Sequence, residues 1–150
     1  MATIFEVADW FLSKEAMTPK KLQKLCYYYK AWGLALYQED LLPEDEFQAW
    51  VHGPANPALY QKYKDYGWKD IPKGEDNSSE FNEKELELLE SVWLTYGDMS
   101  ANALEAQTHL EAPWRNAREG YEDYKNCSVP IKEEDMASFY LMIYQKNQGE

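Results

Sequence analysis

The sequence predicts a mainly α-helical fold: a single compact helical domain over residues 1–150, with at most a short β element around residues 46–52. Apolar residues recur at helical spacing along most of the chain. Residue types that cap helices stand just before several of these stretches. A chain of 150 residues can also bury a core without a metal or a disulfide, and neither half looks complete by itself.

Two helices are predicted in the N-terminal region. Thr3 is a possible cap for the first, and Thr18 caps the second, where Pro19 occupies a position that needs no N–H. Gly33 lies inside the second helix and costs ~1 kcal/mol there relative to alanine, so we expect a close helix crossing at this residue. The residues expected on the buried faces are Ile4, Val7, Ala8, Phe11 and Leu12, then Leu22, Leu25, Cys26, Tyr29, Gly33 and Leu36.

The middle of the chain carries the strand candidate. Residues 47–51 combine aromatic side chains with a β-branched one, and the Gly-Pro pair at residues 53–54 is expected to stop the strand. The Asn-Pro pair at residues 56–57 then opens a third helix, which Gly67 ends. Residues 72–80 are polar with glycine and serine, and predict a mobile loop.

The C-terminal half predicts four more helices. Asn82 caps the first of them, with Glu85 placed as in a capping box, and Gly97 ends it. The other three are expected at residues 100–104, 113–118 and 132–146. The residues expected to face the core are Leu86, Leu89, Val92, Trp93 and Tyr96 in the first helix, and Met136, Phe139, Tyr140, Ile143 and Tyr144 in the last.

Charge narrows the choice of partners. The net charge is −12, and it is concentrated in residues 76–150, which hold six Lys/Arg against sixteen Asp/Glu. Such a surface repels phosphate, so direct nucleic-acid binding is not expected, and a basic protein partner or solubility alone explains the charge. Four lysines in the second helix predict an ordinary exposed face or a small basic patch that meets an acidic partner. They are Lys20, Lys21, Lys24 and Lys30.

The cysteines and the hydropathy of the chain predict a cytoplasmic location. Cys26 and Cys127 lie far apart in the sequence and belong to no CxxC motif, which fits a reducing environment. The N-terminus lacks the basic region of a signal peptide, and no apolar stretch approaches the ~18 residues of a membrane span. We therefore expect a cytoplasmic protein that does not contact a membrane.

The two histidines lie in similar short cassettes. One is the segment 50–54, Trp-Val-His-Gly-Pro, and the other is the segment 108–114, Thr-His-Leu-Glu-Ala-Pro-Trp. Neither has the ligand spacing of a zinc site, and the chain has no nucleophile elbow and no glycine-rich phosphate loop. We therefore expect no metal, no cofactor and no enzyme, with a small hydrolase using His109 and Glu111 as an open alternative.

Two interpretations of the cassettes remain. They are packed corners of the fold, or they border a recognition groove. On the second interpretation we expect Trp50, His52, His109, Glu111 and Trp114 to line a shared groove that contacts a partner, with Tyr27 and Tyr28 nearby. Aromatic residues of this kind serve as anchors at protein interfaces.

Five segments of the chain resemble the Panacea domain family, whose GepA-like and SocA-like members occur in bacteria, prophages and phages. The segments follow the family's order across nearly the whole chain. They are Lys21–Tyr28, Phe47–Pro54, Tyr60 with Tyr63, Tyr66 and Gly67, then Thr95–Ser100 and Thr108–Arg118. The chain departs from the family at Ala55-Asn56-Pro57, where small apolar residues usually precede the proline.

The resemblance implies an antitoxin of a toxin–antitoxin system, which neutralises a cognate toxin by protein–protein contact. The toxin is expected from the adjacent gene. One branch of the family delivers its toxin to an ATP-dependent host protease, which gives an alternative role as a proteolytic adaptor. A phage-encoded acidic inhibitor of a basic host protein is a further alternative. The family supplies no catalytic residues.

Overall fold

Helix α2 (Pro19–Tyr37) is the centre of the fold, because it packs against elements from both ends of the chain. The structure is a computed structural model that describes residues 1–149. Within them it has seven α-helices, two 3-10 turns and one antiparallel pair of strands. The other elements are α1 (Ile4–Lys14), β1 (Gln48–Trp50), β2 (Gly53–Ala55), α3 (Pro57–Tyr63), α4 (Glu83–Tyr96), α5 (Ala101–His109), α6 (Ala112–Ala117) and α7 (Glu133–Gln148).

The predicted starts of α1, α2 and α4 are confirmed by their caps. The Thr18 hydroxyl accepts a hydrogen bond from the backbone N–H of Lys21. Asn82 and Glu85 form the predicted capping box at the start of α4. Thr3 caps α1 and forms a second capping box with Glu6. These local contacts satisfy backbone N–H groups that have no partner inside the helix.

The core surrounds α2 on almost every side. Gly33 marks a close approach, as predicted: a Cβ atom there would lie 3.2 Å from Leu41 Cδ1 and 3.4 Å from Leu88 Cδ2. Helix α7 covers α2 through Met136 and Tyr140. The largest fully buried apolar side chains include Trp10, Phe11, Leu22, Leu25, Tyr27, Tyr28, Tyr29, Phe47 and Tyr140.

The predicted buried faces are wrong at their ends. Leu36 is exposed although its neighbour Ala35 is buried, because the two side chains point to different faces of α2. Tyr144 is exposed and Ile143 is half-buried, because burial along α7 declines after Tyr140. In α4, Leu88 is buried while Leu86 is only partly covered.

An exposed lysine face on α2 is not found. Lys21, Lys24 and Lys30 are buried, and each donates to a backbone carbonyl from a distant part of the chain. Lys30 also pairs with two carboxylates, at 3.2 Å and 3.0 Å. A long side chain can cover apolar surface with its stem while its ammonium reaches such acceptors. These lysines therefore join α2 to its neighbours.

The strand prediction is confirmed for residues 48–50 but its stop is wrong. The Gly-Pro pair at residues 53–54 begins a second strand, whose residues Gly53 and Ala55 pair with Trp50 and Gln48. Gly53 has φ +109°, a backbone conformation that side chains with a Cβ rarely adopt. The tight turn it permits returns the chain antiparallel. Ile131 donates to the carbonyl of Phe47 on the other side of β1.

Residues 72–80 are tied to α1 rather than left without contacts. The N–H of Gly74 donates to the carbonyl of Leu12, and the Trp10 indole N–H donates to the Ser78 hydroxyl. Residues 78–80 form a 3-10 turn. None of the helices within residues 1–149 combines the length and apolarity needed to cross a membrane.

Candidate functional site

A pocket with a volume of about 730 Å³ lies between the start of α2, the β1–β2 pair and the region around α3. We call it the hairpin groove. Its lining residues come from four parts of the chain. They are Pro19, Lys20 and Leu22–Lys24; Gln48, Trp50–Gly53 and Ala55; Leu59, Tyr60, Tyr63, Lys64, Gly67 and Trp68; and Tyr121 and Asn126–Ser128.

Aromatic side chains form the walls of the hairpin groove. Trp50 and Tyr60 meet edge to face, with ring centroids 5.1 Å apart. Trp68 stands at the rim, 73% exposed, with the His52 ring 6.0 Å from it and the Lys20 ammonium 5.5 Å above its ring. Tyr121 is also exposed. Exposed tryptophan and tyrosine around a concave surface are typical of protein-binding hot spots.

A hydrogen-bonded acid holds His52 at the rim. One carboxylate oxygen of Glu105 accepts from the Lys20 ammonium at 2.6 Å, and the other lies 3.2 Å from His52 Nδ1. Burial raises the pKa of Glu105, but the bonds from Lys20 and His52 outweigh it and hold the pKa below its usual value. The Lys20 charge is therefore already paired, and the His52 side chain remains mostly exposed.

The floor of the groove contains a buried lysine. Lys24 is 2% exposed, and its ammonium donates to the carbonyl of Pro54 at 3.1 Å. No carboxylate within residues 1–149 lies within salt-bridge distance of it. Burial lowers the pKa of Lys24 to about 7. The Lys24 side chain also passes directly beneath Gly53, the first residue of β2. A Cβ atom on Gly53 would overlap with Lys24 Cε.

The hairpin groove is basic within an acidic protein. Lys20, Lys24, Lys64 and His52 line it, and no Asp or Glu of the described residues 1–149 does. The chain as a whole has 27 Asp and Glu against 15 Lys and Arg. The groove therefore differs in charge from the surface around it.

The second histidine cassette has a buried carboxylate at its centre. Glu111 Oε1 accepts from the hydroxyls of Tyr28 at 2.9 Å and Tyr140 at 2.7 Å, and Oε2 accepts from the Gln107 amide at 3.0 Å. The hydroxyls of Tyr27 and Tyr140 lie 3.0 Å apart. We call these five residues the Glu111 cluster. It ties α2 to α5 and α7.

Burial sets the protonation of the Glu111 cluster. It raises the pKa of Glu111, and the three hydrogen bonds oppose that rise. Burial also raises the pKa of Tyr27, Tyr28 and Tyr140, so their hydroxyls keep their protons. The hydroxyls of Tyr28 and Tyr140 are therefore fixed donors to the acid between them.

Trp114 links the two cassettes. Its indole N–H donates to the carbonyl of Trp50 at 2.8 Å, and its ring stacks on His109 with centroids 3.9 Å apart and planes 13° apart. Burial lowers the pKa of His109, whose buried Nε2 has no hydrogen-bond partner within residues 1–149. The stacked histidine and tryptophan thus support the backbone of the first cassette from beneath.

Arg118 fastens the far wall of the groove. Its buried guanidinium donates to the carbonyls of Ala49 and Glu122, each at 2.7 Å, and also to that of Lys125. It lies 4.9 Å from the centre of the Trp114 ring. A planar group with five N–H donors can hold several carbonyls at once, which a lysine cannot do with the same geometry.

Of the five residues predicted to line one shared groove, three do not line the hairpin groove, and Tyr27 and Tyr28 were predicted only to lie nearby. Trp50 and His52 line the hairpin groove. The other five lie outside its lining, because their polar atoms and rings are engaged inside the protein. They are Tyr27, Tyr28, His109, Glu111 and Trp114. Contact of Trp50 and His52 with a partner stays a prediction.

His109 and Glu111 are not joined. The Glu111 oxygens are taken by Tyr28, Tyr140 and Gln107, and His109 faces Trp114. Among the side chains of residues 1–149, no three His, Cys, Asp or Glu groups meet in a way that could hold a metal ion.

Sequence reasoning assigned only Trp50 and His52 among these lining residues to a groove. The residues that it missed include Tyr60, Lys64, Trp68 and Tyr121. Trp68 follows Gly67 in a stretch of polar residues with no helical spacing. A large aromatic side chain in such a stretch has no helix face to bury it, and this was the signal available.

Comparison with known proteins places these features in a family. The model of a family described as antitoxin SocA-like, Panacea domain, matches residues 22–115, more than half of the chain. The matched range contains both strands, the Glu111 carboxylate and most of the hairpin groove. No curated protein and no solved structure matches the chain.

Proposed function

This chain belongs to the SocA-like Panacea antitoxin family, and on that premise we propose that it neutralises a cognate protein toxin by binding it directly. The family match is the observation that carries the proposal. A binding role, rather than catalysis, also agrees with the engagement of Glu111 and His109 in packing and hydrogen bonds.

The hairpin groove is the contact surface in this proposal. Trp50 and His52 lie in it together with the exposed rings of Tyr60, Trp68 and Tyr121. Protein interfaces concentrate their binding energy in a few aromatic residues that fit into or around a concavity. The Glu111 cluster takes the other role, which is to hold the helices that carry the groove.

The test is co-expression with the protein encoded by the adjacent gene. We expect that neighbour to stop bacterial growth when expressed alone, and growth to return when this protein is present. Purified together, the two should elute as one complex. A neighbour that is harmless alone, or that stays toxic in the presence of this protein, contradicts the proposal.

The same assay separates occlusion from delivery to a protease. In our proposal the complex itself is inactive, so growth returns equally well in a host that lacks its ATP-dependent proteases. Rescue that disappears in that host, with loss of the toxin band in the wild-type host, supports the proteolytic adaptor instead.

A further inference from the structure

We propose that the hairpin groove receives a segment of the toxin in which a large apolar side chain stands next to a carboxylate. The proposal rests on the antitoxin role above and specifies the chemistry of its partner. It follows from the charge of the groove lining, from the shape of its walls, and from the lysine at its floor.

The charge of the lining favours an acidic occupant. Among residues 1–149 the lining has three lysines and one histidine and no carboxylate, with Glu105 paired to Lys20 and His52 at the rim, whereas the chain carries a net charge of −12. Lys20 is neutralised by Glu105, which leaves Lys24 at the floor and Lys64 at the exposed rim. No salt bridge within residues 1–149 involves either of them. A basic segment would gain nothing from these charges, and an acidic one is attracted by them.

The walls favour an apolar anchor beside that carboxylate. Trp50, Tyr60, Tyr63 and Trp68 present ring faces and edges to a volume of about 730 Å³, which is larger than one side chain. Trp68 has most of its indole exposed in the free protein. Covering it removes apolar surface from water, which is the main favourable contribution at an interface core.

Lys24 at the floor favours the binding of an anion in the groove. Lys24 is desolvated, and one carbonyl is the partner of its three N–H donors within residues 1–149. Its lowered pKa means that burial disfavours its charge. A carboxylate entering from solvent stabilises that charge in a region of low dielectric, where such an attraction is stronger than at the surface.

Selection from a phage-displayed random peptide library tests the chemistry without knowledge of the toxin. With the wild-type protein as bait, we expect the enriched peptides to carry Asp or Glu within two residues of Trp, Phe or Leu. Synthetic versions should bind Trp68→Ala and Lys64→Glu at least about tenfold more weakly. Enrichment of basic peptides, or no enrichment over the Trp68→Ala bait, overturns the proposal.

Two matched variants control for nonspecific effects. Leu94→Ala removes an exposed apolar side chain outside the groove, and Lys73→Glu reverses an exposed lysine outside it. Both should bind the selected peptides within about twofold of the wild type. Since Trp68 and Lys64 are exposed, their variants should unfold at the wild-type temperature. Equal weakening by the groove and control variants also overturns the proposal.

The rescue assay distinguishes this inference from the proposed function. If the wild type rescues growth and Trp68→Ala with Lys64→Glu rescues equally well, the antitoxin role stands and the groove is not its docking site. If the wild type does not rescue but acidic apolar peptides are selected, the antitoxin role fails while the ligand chemistry of the groove stands.

Discussion

The two histidine cassettes contain similar residues but have opposite positions in the fold. In segment 50–54 the His52 side chain is mostly exposed, and Trp50 lines the hairpin groove. In segment 108–114 Trp114 is buried and Glu111 is surrounded by hydrogen-bond donors. The first cassette presents its side chains and the second supports them, since the Trp114 indole donates to the Trp50 carbonyl.

The difference lies in the partners of the polar atoms. Most buried polar groups have a hydrogen-bond partner inside the protein, and Glu111 has three. His52 has one partner at the surface, Glu105, and water can reach the rest of its ring. Residue type alone therefore does not assign a cassette to a binding surface or to the core.

Truncating the two tryptophans gives the largest expected contrast. Trp114→Ala should lower the free energy of unfolding by about 3–5 kcal/mol, because it leaves a cavity and removes the support of the Trp50 carbonyl. Trp50→Ala, at the partly exposed site, should cost about half as much or less. Urea denaturation followed by circular dichroism measures both. Equal losses of unfolding free energy in the two variants would contradict the assignment of one cassette to the groove surface and the other to the core.

The two carboxylates provide the next contrast. Glu111→Ala leaves the buried donors of Tyr28, Tyr140 and Gln107 without their acceptor, and should cost about 2–3 kcal/mol of unfolding free energy. Glu105→Ala removes an ion pair at the groove rim and should cost about 1 kcal/mol or less. If the Glu105→Ala variant lost as much stability as the Glu111→Ala variant, the groove rim would be as important for folding as the Glu111 cluster, which contradicts our distinction.

The buried charge under the groove predicts a dependence on pH. The folded-state pKa of Lys24 is about 7, against an ordinary value of 10.5, so the unfolded chain binds more protons between these pH values. The stability of the wild type should therefore rise relative to Lys24→Met, by about 1 kcal/mol or more from pH 7 to pH 9. Urea denaturation at both pH values measures this. The exposed-lysine control, Lys64→Met, should show no such change.

Replacing the histidines gives the smallest effects. His109→Ala loses the stacking on Trp114 and should cost about 1 kcal/mol, whereas His52→Ala should cost about 0.5 kcal/mol or less. In the rescue assay the order should reverse, with His52→Ala the weaker antitoxin. Thermal melts of the purified variants, read beside growth curves, check both orders. A His109→Ala variant that folds normally but fails to rescue growth would contradict the structural role that we assign to His109.

Local rules predicted the helices and their caps, and long-range contacts decided the rest. The caps at Thr3, Thr18 and Asn82 involve atoms three residues apart, so spacing reveals them. Lys21 reaches the carbonyl of Gly97, 76 residues away, and no helical pattern contains that information. The second strand was missed because a Gly-Pro pair usually ends a strand. Here the pair follows a tight turn and begins the strand that pairs with β1.

The candidate site followed the same division. Trp50 and His52 were predicted because they belong to a short histidine cassette, whose residues are neighbours in the sequence. The burial of Glu111 was not predictable, since its donor Tyr28 lies 83 residues earlier in the chain. Trp68 was missed because it belongs to no motif. Chemistry within a few residues is visible in one sequence, and chemistry made by the packing of distant helices is not.

Arg118 gives the groove a property that its lining does not show. Its guanidinium binds carbonyls of β1 and of residues 122–125, so all of these bonds are lost when the hairpin separates from the far wall. Such a unit opens in one equilibrium. On the proposed function, a toxin segment in the groove binds the closed form, and its occupancy lowers the open population by mass action. On the proposed function, the lifetime of the antitoxin against proteolysis therefore increases with the amount of toxin that it holds.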